Sequence, residues 1–135
     1  MILSGRVSSN IKLIELTQSN ITSGNFRFVY YGNGIWVAGS NSSKGLYYST
    51  DGKSWIQSNI KSDDFYCVYY ANGIWVAGSY IGQGLYYSTD GKIWMHSNIT
   101  SGDFRCVYYG NGIWVAGSGD SSKGLYYSKF YIKFS

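Results

Sequence analysis

Residues 29–40 read Val-Tyr-Tyr-Gly-Asn-Gly-Ile-Trp-Val-Ala-Gly-Ser, and the stretch returns at 68–79 and 107–118 with one change, Ala71 in place of glycine. Each copy holds two runs of β-branched and aromatic residues separated by an Asn-Gly turn. Such runs favour strands, and Asn-Gly indicates a tight hairpin because both residues tolerate positive φ. The sequence therefore predicts the same β-hairpin three times.

The hairpin belongs to a longer repeat of 39 residues. The repeats span 19–57, 58–96 and 97–135, and the third has one extra residue in its loop 119–122. No segment has helical periodicity. In the first repeat we predict strands at 26–31, 35–40, 46–50 and 53–57. A period near forty with four short strands is typical of a β-propeller blade, whose two faces must be covered by neighbouring blades.

The third repeat departs from this pattern at its end. Phe130 and Tyr131 stand where the other repeats have Asp and Gly, so no hairpin to a fourth strand is encoded there. Residues 11–17 occupy the place of a fourth strand before the first repeat, since Gln18 aligns with Gln57. We predict that 11–17 is a closing strand that completes the third blade.

The number of blades bears on the oligomeric state. The predicted fold is an all-β, partial β-propeller of three four-stranded antiparallel blades. Closed propellers have about four to eight blades, so three cannot complete a circle at ordinary blade twist. We expect a homodimer of six blades, in which the closing strands are exchanged. A trimer of nine blades and a piece cut from a longer propeller are the alternatives.

Residues 49–55 and 88–94 carry a family resemblance. They read Ser-Thr-Asp-Gly-Lys-Ser-Trp and Ser-Thr-Asp-Gly-Lys-Ile-Trp. They resemble the Asp-box, the BNR repeat of sialidase-like β-propellers, with one residue fewer between Asp and Gly than usual. The resemblance covers 19–128 and implies that the Asp braces the hairpin between the third and fourth strands while the Trp packs over it. The residues concerned are Ser49, Asp51, Gly52, Trp55, Ser88, Asp90, Gly91 and Trp94.

Composition narrows the function classes. Aromatic residues make up 19 % of the chain and charged residues 13 %, which is typical of a folded β-rich protein. The net charge of +4 is spread along the chain without a basic cluster, so nucleic-acid binding is not indicated. Cys67 and Cys106 share a repeat position with Phe28, which indicates an apolar site and not a disulfide. No signal peptide or membrane-length segment is present, so we expect a cytoplasmic protein unless the chain is part of a larger secreted or virion protein.

No catalytic set can be assembled from the sequence. The sialidases of the resembling family use an arginine cluster, a Tyr–Glu pair and an acid, but Glu15 is the only glutamate here. His96 is the only histidine, which leaves too few ligands for a metal site. Asp-box propellers include hydrolases, lectins, receptors and assembly factors, so the fold does not decide between them. We expect no enzyme activity, no cofactor and no metal.

A binding module is the interpretation that we favour. Polar loops between strands suit a sugar, and Tyr80 adds an aromatic ring for stacking, so we rank first a lectin-like module that binds carbohydrate through repeated loop sites. Arg27, Tyr66 and Arg105 share one repeat position and could form an anion- or nucleotide-binding ring, unless each arginine pairs with the Asp or Asn before it. A structural or protein-interaction ring without a small ligand is the third hypothesis. The candidate ligand-binding residues are Asn25, Arg27, Asp64, Tyr66, Tyr80, Asp103 and Arg105.

Overall fold

The computed structural model describes residues 12–80 and 82–129, and every regular element among them is a β-strand. None of these residues forms a helix that could span a membrane. The strands are β1 Phe26–Gly32, β2 Ile35–Ser40, β3 Leu46–Ser49, β4 Ile56–Gln57, β5 Phe65–Ala71, β6 Ile74–Ser79, β7 Leu85–Ser88, β8 Met95–His96, β9 Phe104–Gly110, β10 Ile113–Ser118 and β11 Leu125–Lys129.

The strands form three antiparallel sheets, one for each repeat. Sheet 1 has the order β1-β2-β3-β4, sheet 2 the order β5-β6-β7-β8, and sheet 3 holds β9, β10 and β11 within the described residues. The prediction of an all-β, antiparallel fold is confirmed. Residues 130–135, the end of the predicted third blade, lie outside the described part of the chain.

Three strands of the first repeat differ in their bounds from the sequence-based prediction. The fourth strand of sheet 1 is Ile56–Gln57 and not 53–57, because the Asp51 carboxylate accepts the N–H groups of Lys53 and Ser54. These N–H groups therefore cannot join the ladder with β3. The first strand continues through Gly32, and β3 ends at Ser49. Asn33 and Gly34 have φ values of 50° and 81°, as expected for a tight hairpin.

The sheets pack face to face in chain order. Val37 and Leu46 of sheet 1, both fully buried, join Trp75 and other side chains of sheet 2 in one core cluster. A second cluster joins Leu85 of sheet 2 to Phe104 and further side chains of sheet 3. Sheet 2 is thus covered on both faces, whereas sheets 1 and 3 are each covered on one. The core is a stack held together at two junctions.

Each outer sheet leaves an apolar face uncovered. We call the uncovered face of sheet 1 the leading face, which presents Phe26, Val29 and Tyr31, at 39 %, 55 % and 53 % exposure. The uncovered face of sheet 3 is the trailing face, and it presents Tyr108, Val115, Leu125 and Tyr127 at 63 %, 41 %, 77 % and 78 % exposure. Exposed apolar patches of this kind mark interaction surfaces.

The predicted closing strand, 11–17, pairs with no sheet in the described residues of the single chain. Residue 11 lies outside the described part, and residues 12–17 have no regular structure. Leu13, Ile14 and Leu16 are 82 %, 87 % and 93 % exposed. The prediction concerns pairing with a second copy, so it stays a prediction.

Candidate functional site

The first strands of the three sheets bring three of the predicted site residues together. Arg27 of β1 and Arg105 of β9 both lie against Tyr66 of β5, with guanidinium carbons 5.0 Å and 4.6 Å from the ring centroid. The two guanidinium carbons are therefore at most 9.6 Å apart, the sum of those distances. Each guanidinium is attracted to the π face of the tyrosine ring, so the ring holds both arginine side chains beside it.

The residue that follows the second strand of each sheet lies beside Arg27, Tyr66 or Arg105. Backbone N–H groups of Asn41, Tyr80 and Gly119 donate to the carbonyls of residues 25, 64 and 103, which fixes these loop residues beside the first strands. The three loop residues are repeat equivalents but differ chemically. Arg27, Tyr66 and Arg105 therefore each have a different neighbour.

In sheet 1, the neighbour is an amide. With its oxygen turned toward Arg27, the Asn41 side chain accepts from Nε and Nη2 at 2.7 Å and 2.8 Å, and its nitrogen donates to the carbonyl of Asn25 at 3.1 Å. Asn25 contributes its main chain to this contact. Arg27 is exposed yet held in one orientation, with Nη1 left over.

In sheet 2, the neighbour is aromatic. The Tyr80 ring lies edge-on to Tyr66, with centroids 4.5 Å apart. Burial raises the pKa of the Tyr66 hydroxyl, and Tyr80 raises it further, while Arg105 and Arg27 act in the opposite direction. Tyr66 is therefore a neutral phenol at physiological pH.

In sheet 3, the neighbour has no side chain. Arg105 lies across Gly119, where a Cβ would overlap its Nε. Within the described residues, Arg105 makes no hydrogen bond or ion pair, so its guanidinium donors face solvent beside Tyr66. A side chain at position 119 would displace the exposed Arg105 side chain from this orientation.

The carboxylates predicted for this site are used elsewhere. Asp64 Oδ1 accepts from Ser43 N at 2.6 Å, and Asp103 Oδ1 accepts from Gly82 N at 2.5 Å. Each carboxylate thereby ties the loop of the preceding sheet to its own sheet. Within residues 12–80 and 82–129, neither Arg27 nor Arg105 makes the pairing that the alternative predicts, with the side chain of the Asn25 or Asp103 before it.

A tyrosine–carboxylate contact at the sheet 1–sheet 2 junction was not predicted. Tyr86 donates its hydroxyl to Asp63 Oδ2 at 2.8 Å and stacks on His96 with ring centroids 3.9 Å apart. Burial and then the Asp63 hydrogen bond raise the pKa of Tyr86. His96 Nε2 bonds the carbonyl of Gln83 at 2.7 Å, as Gln57 Nε2 bonds the carbonyl of Lys44. His96 therefore makes the same side-chain contact with a loop carbonyl as its repeat equivalent, Gln57.

The hairpins between the third and fourth strands are braced by their own side chains. Ser49 Oγ accepts from Gly52 N at 2.8 Å, and Asp51 Oδ1 accepts from the N–H groups of Lys53 and Ser54 at 2.8 Å and 2.9 Å. Trp55 Nε1 donates to the Gly52 carbonyl at 3.2 Å. The hydrogen bonds repeat in sheet 2, at Ser88, Asp90, Gly91 and Trp94.

These hydrogen bonds lower the pKa of the aspartates in the hairpins. Backbone N–H groups of Ser54 and Lys53, and the Ser49 hydroxyl, lower the pKa of Asp51 to about 2. For Asp90, burial acts upward, but the N–H groups of Ile93 and Lys92 make the net pKa shift downward. Both aspartates act as turn braces. No group of three or more His, Cys, Asp or Glu side chains that could hold a metal ion occurs in residues 12–80 and 82–129.

A cavity of about 560 Å³ lies between sheets 2 and 3. Asn98, Trp114 and Tyr126 are among its lining residues. At the sheet 1–sheet 2 junction, Trp94 is buried against Trp75, with ring centroids 6.5 Å apart. Trp94 directly precedes β8, the fourth strand of sheet 2, and this segment has no counterpart in the described part of sheet 3. The Trp114 Nε1 atom is buried without a hydrogen-bond partner there.

Comparison with known proteins informs the fold. No protein-family model matches the chain, and no curated protein matches its sequence. The crystal structure of the computationally designed Ika4 protein superposes with a TM-score of 0.56 at 12 % identity, covering 76 % of this chain and 64 % of the Ika4 chain. That of the designed Ika8 protein gives a TM-score of 0.54 at 11 % identity, covering 70 % of this chain and 30 % of the Ika8 chain. The chain spans less than two thirds of either protein, and the likeness is one of fold.

Proposed function

We propose that the chain is a β-propeller segment whose copies associate head to tail into a closed ring, and that the ring is a non-enzymatic binding module. The observation that carries the proposal is that the two uncovered faces repeat the two halves of a junction already present in the chain. Val68 and Val107, which face the preceding sheet, are 8 % and 9 % exposed, whereas Val29 is 55 % exposed.

The trailing face gives the complementary comparison. Leu46 and Leu85 are buried at the junctions that sheets 1 and 2 make with the next sheet, and their equivalent Leu125 is 77 % exposed. A second copy that places its leading face on this trailing face would reproduce the contacts of both internal junctions. Burying each large apolar side chain contributes about 1.5–3 kcal/mol, so several together favour association.

Backbone groups support the same geometry. Gly45 N and Leu46 N donate to the carbonyls of Asp63 and Ile60, and Gly84 and Leu85 repeat the pattern with the next sheet. A Cβ at Gly45 or Gly84 would overlap the carbonyl of Ile60 or Ile99. Gly124 keeps the positive φ of these glycines, at 70°, but nothing lies within 4 Å of where its Cβ would be. The space suits the Ile21 carbonyl of a second copy.

An asparagine clasp supports the exchange of closing strands. Asn20 bonds both the N–H and the carbonyl of Trp55, at 2.7 Å and 3.0 Å. Asn59 does the same to Trp94, at 2.7 Å and 2.9 Å. Asn98 holds the equivalent position and makes no such bonds within the described residues.

The segment that we propose as the partner of Asn98 is the closing strand of a second copy. Leu16 aligns with Trp55 and Trp94, so it would enter the cavity beside Asn98 and Trp114. The exchange would cover three exposed apolar side chains of residues 12–17 and pair the outer edge of sheet 3. Unpaired edges are otherwise prone to uncontrolled association. The Asp-box resemblance agrees with a propeller but does not carry the proposal.

Two copies are the number that we favour. They would give six sheets related by a two-fold axis, which falls in the usual range of propellers, whereas three copies would give nine. The test is the mass of the intact chain in solution by light scattering. We expect twice the chain mass of 15.1 kDa. A monomer at all concentrations would refute the ring and favour a piece of a longer propeller.

Variants separate the proposed interface from general surface effects. Leu125→Asp should give a folded monomer, because it places a charge in the interface. Ile93→Asp is the matched control: its side chain is 59 % exposed and lies on a hairpin, away from both uncovered faces. Asn98→Ala should weaken association by about 1–3 kcal/mol without changing the strand content. Equal effects of Leu125→Asp and Ile93→Asp would contradict the interface.

The ligand class follows from which loop groups remain free. Asp64 and Asp103 accept loop N–H groups, and Ser42 and Lys44 bond Ser40 and Ser23. Nη1 of Arg27 and the guanidinium of Arg105 have no hydrogen-bond partner in the described residues. We therefore place a small anion ahead of a neutral sugar. A glycan array and titration with phosphate compounds test both classes, and absence of binding in both would leave a structural ring.

A further inference from the structure

One repeat position brings neighbouring sheets into side-chain contact. At the junction of sheets 1 and 2 the contact joins Arg27 to Tyr66, and at the junction of sheets 2 and 3 it joins Tyr66 to Arg105. Neighbours at this position are thus within contact distance at both internal junctions. The alternation of arginine and tyrosine avoids placing two cations side by side within the chain.

A junction between two copies would break this alternation. If the ring closes as proposed, Arg105 of one copy would face the partner's Arg27, with no aromatic ring between them. Asp64 and Asp103 are engaged by loop N–H groups, and neither arginine makes an ion pair within the described residues. Two guanidinium groups would then share one site, and no carboxylate of the described residues pairs with either of them.

The two arginines are prepared for a ligand in different ways. Asn41 holds Nε and Nη2 of Arg27, which orients the guanidinium and leaves Nη1 without a partner in the described residues. Arg105 lies across Gly119 with its donors unused. Guanidinium groups bind tetrahedral oxyanions through paired, charge-assisted hydrogen bonds, which two arginines together strengthen.

We propose that each junction between copies binds one phosphate-type oxyanion between Arg105 and the partner's Arg27. The site is incomplete in the single chain and is completed by association, so the inference rests on the proposed ring. Because the anion binds the assembled form, it also stabilises the ring by mass action. The expected stoichiometry is one anion per chain.

The first experiment titrates the intact wild-type protein with inorganic phosphate in a phosphate-free buffer by calorimetry. We expect one site per chain, and binding that is roughly tenfold to a hundredfold weaker in Arg27→Ala and in Arg105→Ala. Lys53→Ala is the matched control, since it removes one exposed positive charge at a hairpin on the opposite end of the sheet. The control should bind phosphate as wild type does.

A mixing experiment shows whether the two arginines come from different copies. Arg27→Ala and Arg105→Ala chains are unfolded together and refolded as mixed rings. A mixed dimer has one junction with both arginines and one with neither. Tight phosphate binding should therefore return, with one tight site per mixed dimer.

The outcomes distinguish the site from the ring. Tight binding that does not return on mixing would overturn the shared site and place the anion within one chain, around Tyr66. A dimer that binds no phosphate and no nucleoside monophosphate would overturn the site and leave the ring intact. A monomer would overturn both. Tighter binding of a nucleoside monophosphate than of inorganic phosphate would support the shared site with a ligand that carries its phosphate on a larger molecule.

Discussion

The three sheets have almost the same sequence, but side chains that are buried on both faces of sheet 2 are exposed on the outer faces of sheets 1 and 3. Tyr86 and Leu85 of β7 are 6 % and 8 % exposed, whereas Leu125 at the matching place in β11 is 77 % exposed. The side chains are the same, so the difference lies in whether another sheet follows. Burial in a repeat protein is a property of the junction, and a repeat without a neighbour exposes what its copies bury.

The same comparison extends to a close approach between side chain and backbone. The Phe28 ring of sheet 1 lies over Gly39, and Cys67 takes its place over Gly78 in sheet 2. Cys67 also contacts the carbonyl of Phe104 in sheet 3, whereas its equivalent Cys106 is exposed. The two cysteines therefore report on one covered and one uncovered junction.

Thiol reactivity gives the largest contrast that we predict. Burial raises the pKa of the Cys67 thiol from 9.0 to about 12, so its thiolate fraction at neutral pH falls about a thousandfold. In a chain kept single by Val29→Asp, a maleimide should label Cys106 at least about a hundredfold faster than Cys67. In the assembled wild type, Cys106 should become slow as well.

Single-thiol variants make this measurement specific. Cys67→Ala leaves Cys106 alone, and Cys106→Ala leaves Cys67 alone, so each rate is measured by mass spectrometry on one site. Equal rates for the two variants in the Val29→Asp background would contradict the burial difference. Fast labelling of Cys106 in a confirmed dimer would contradict its position in the interface.

Leucine truncation gives the next largest effect. In the Val29→Asp background, Leu46→Ala removes a fully buried side chain and should lower the free energy of unfolding by about 2–5 kcal/mol. Leu125→Ala removes an exposed side chain and should change it by less than about 0.5 kcal/mol. Denaturant titration measures both. In wild type at high concentration the two effects should approach each other, and a persistent difference there would contradict the proposed junction.

Local features of the fold could be read from the sequence, because they depend on neighbours along the chain. Strand β2 begins and ends where predicted, at Ile35–Ser40, since the Asn-Gly turn and the following polar loop delimit it. The shared position of Arg27, Tyr66 and Arg105 also followed from the repeat alone. Such alignment predicts that equivalent side chains lie at equivalent places in successive sheets.

Contacts across junctions could not be read in the same way. Asp64 and Asp103 accept loop N–H groups that lie 21 residues earlier in the chain, in the preceding sheet. Asp103 does so although Arg105 is only two residues away in sequence. The short fourth strand has a related cause, because Asp51 competes with the ladder for the N–H groups of Lys53 and Ser54. Both outcomes depend on which acceptor lies closer in three dimensions.

The smallest effect that we predict is on the pH dependence of stability, through the Asp51 carboxylate in its hairpin. Sheet 2 has the equivalent Asp90, whereas the third repeat has Phe130 at this position. The pKa of Asp51 is about 2 in the folded chain, below its ordinary value of 3.8, because the N–H groups of Ser54 and Lys53 favour the carboxylate. The unfolded chain therefore binds more protons between these values, and stability rises with pH through this window. The contribution is present above about pH 4 and is lost as the pH falls toward 2.

Removing the carboxylate should remove this part of the pH dependence. In the Val29→Asp background, Asp51→Asn should lower the melting temperature at pH 6 and flatten its decline between pH 4 and 2, because the variant has no proton to gain there. Glu15→Gln is the control, since residue 15 is exposed and outside every sheet, and it should leave the profile unchanged. Amide hydrogen exchange at Lys53 and Ser54 should quicken in Asp51→Asn, while the β10–β11 ladder of sheet 3 keeps its protection. A profile equally steep in Asp51→Asn and in its Val29→Asp parent would show that the hairpin carboxylate does not hold the turn.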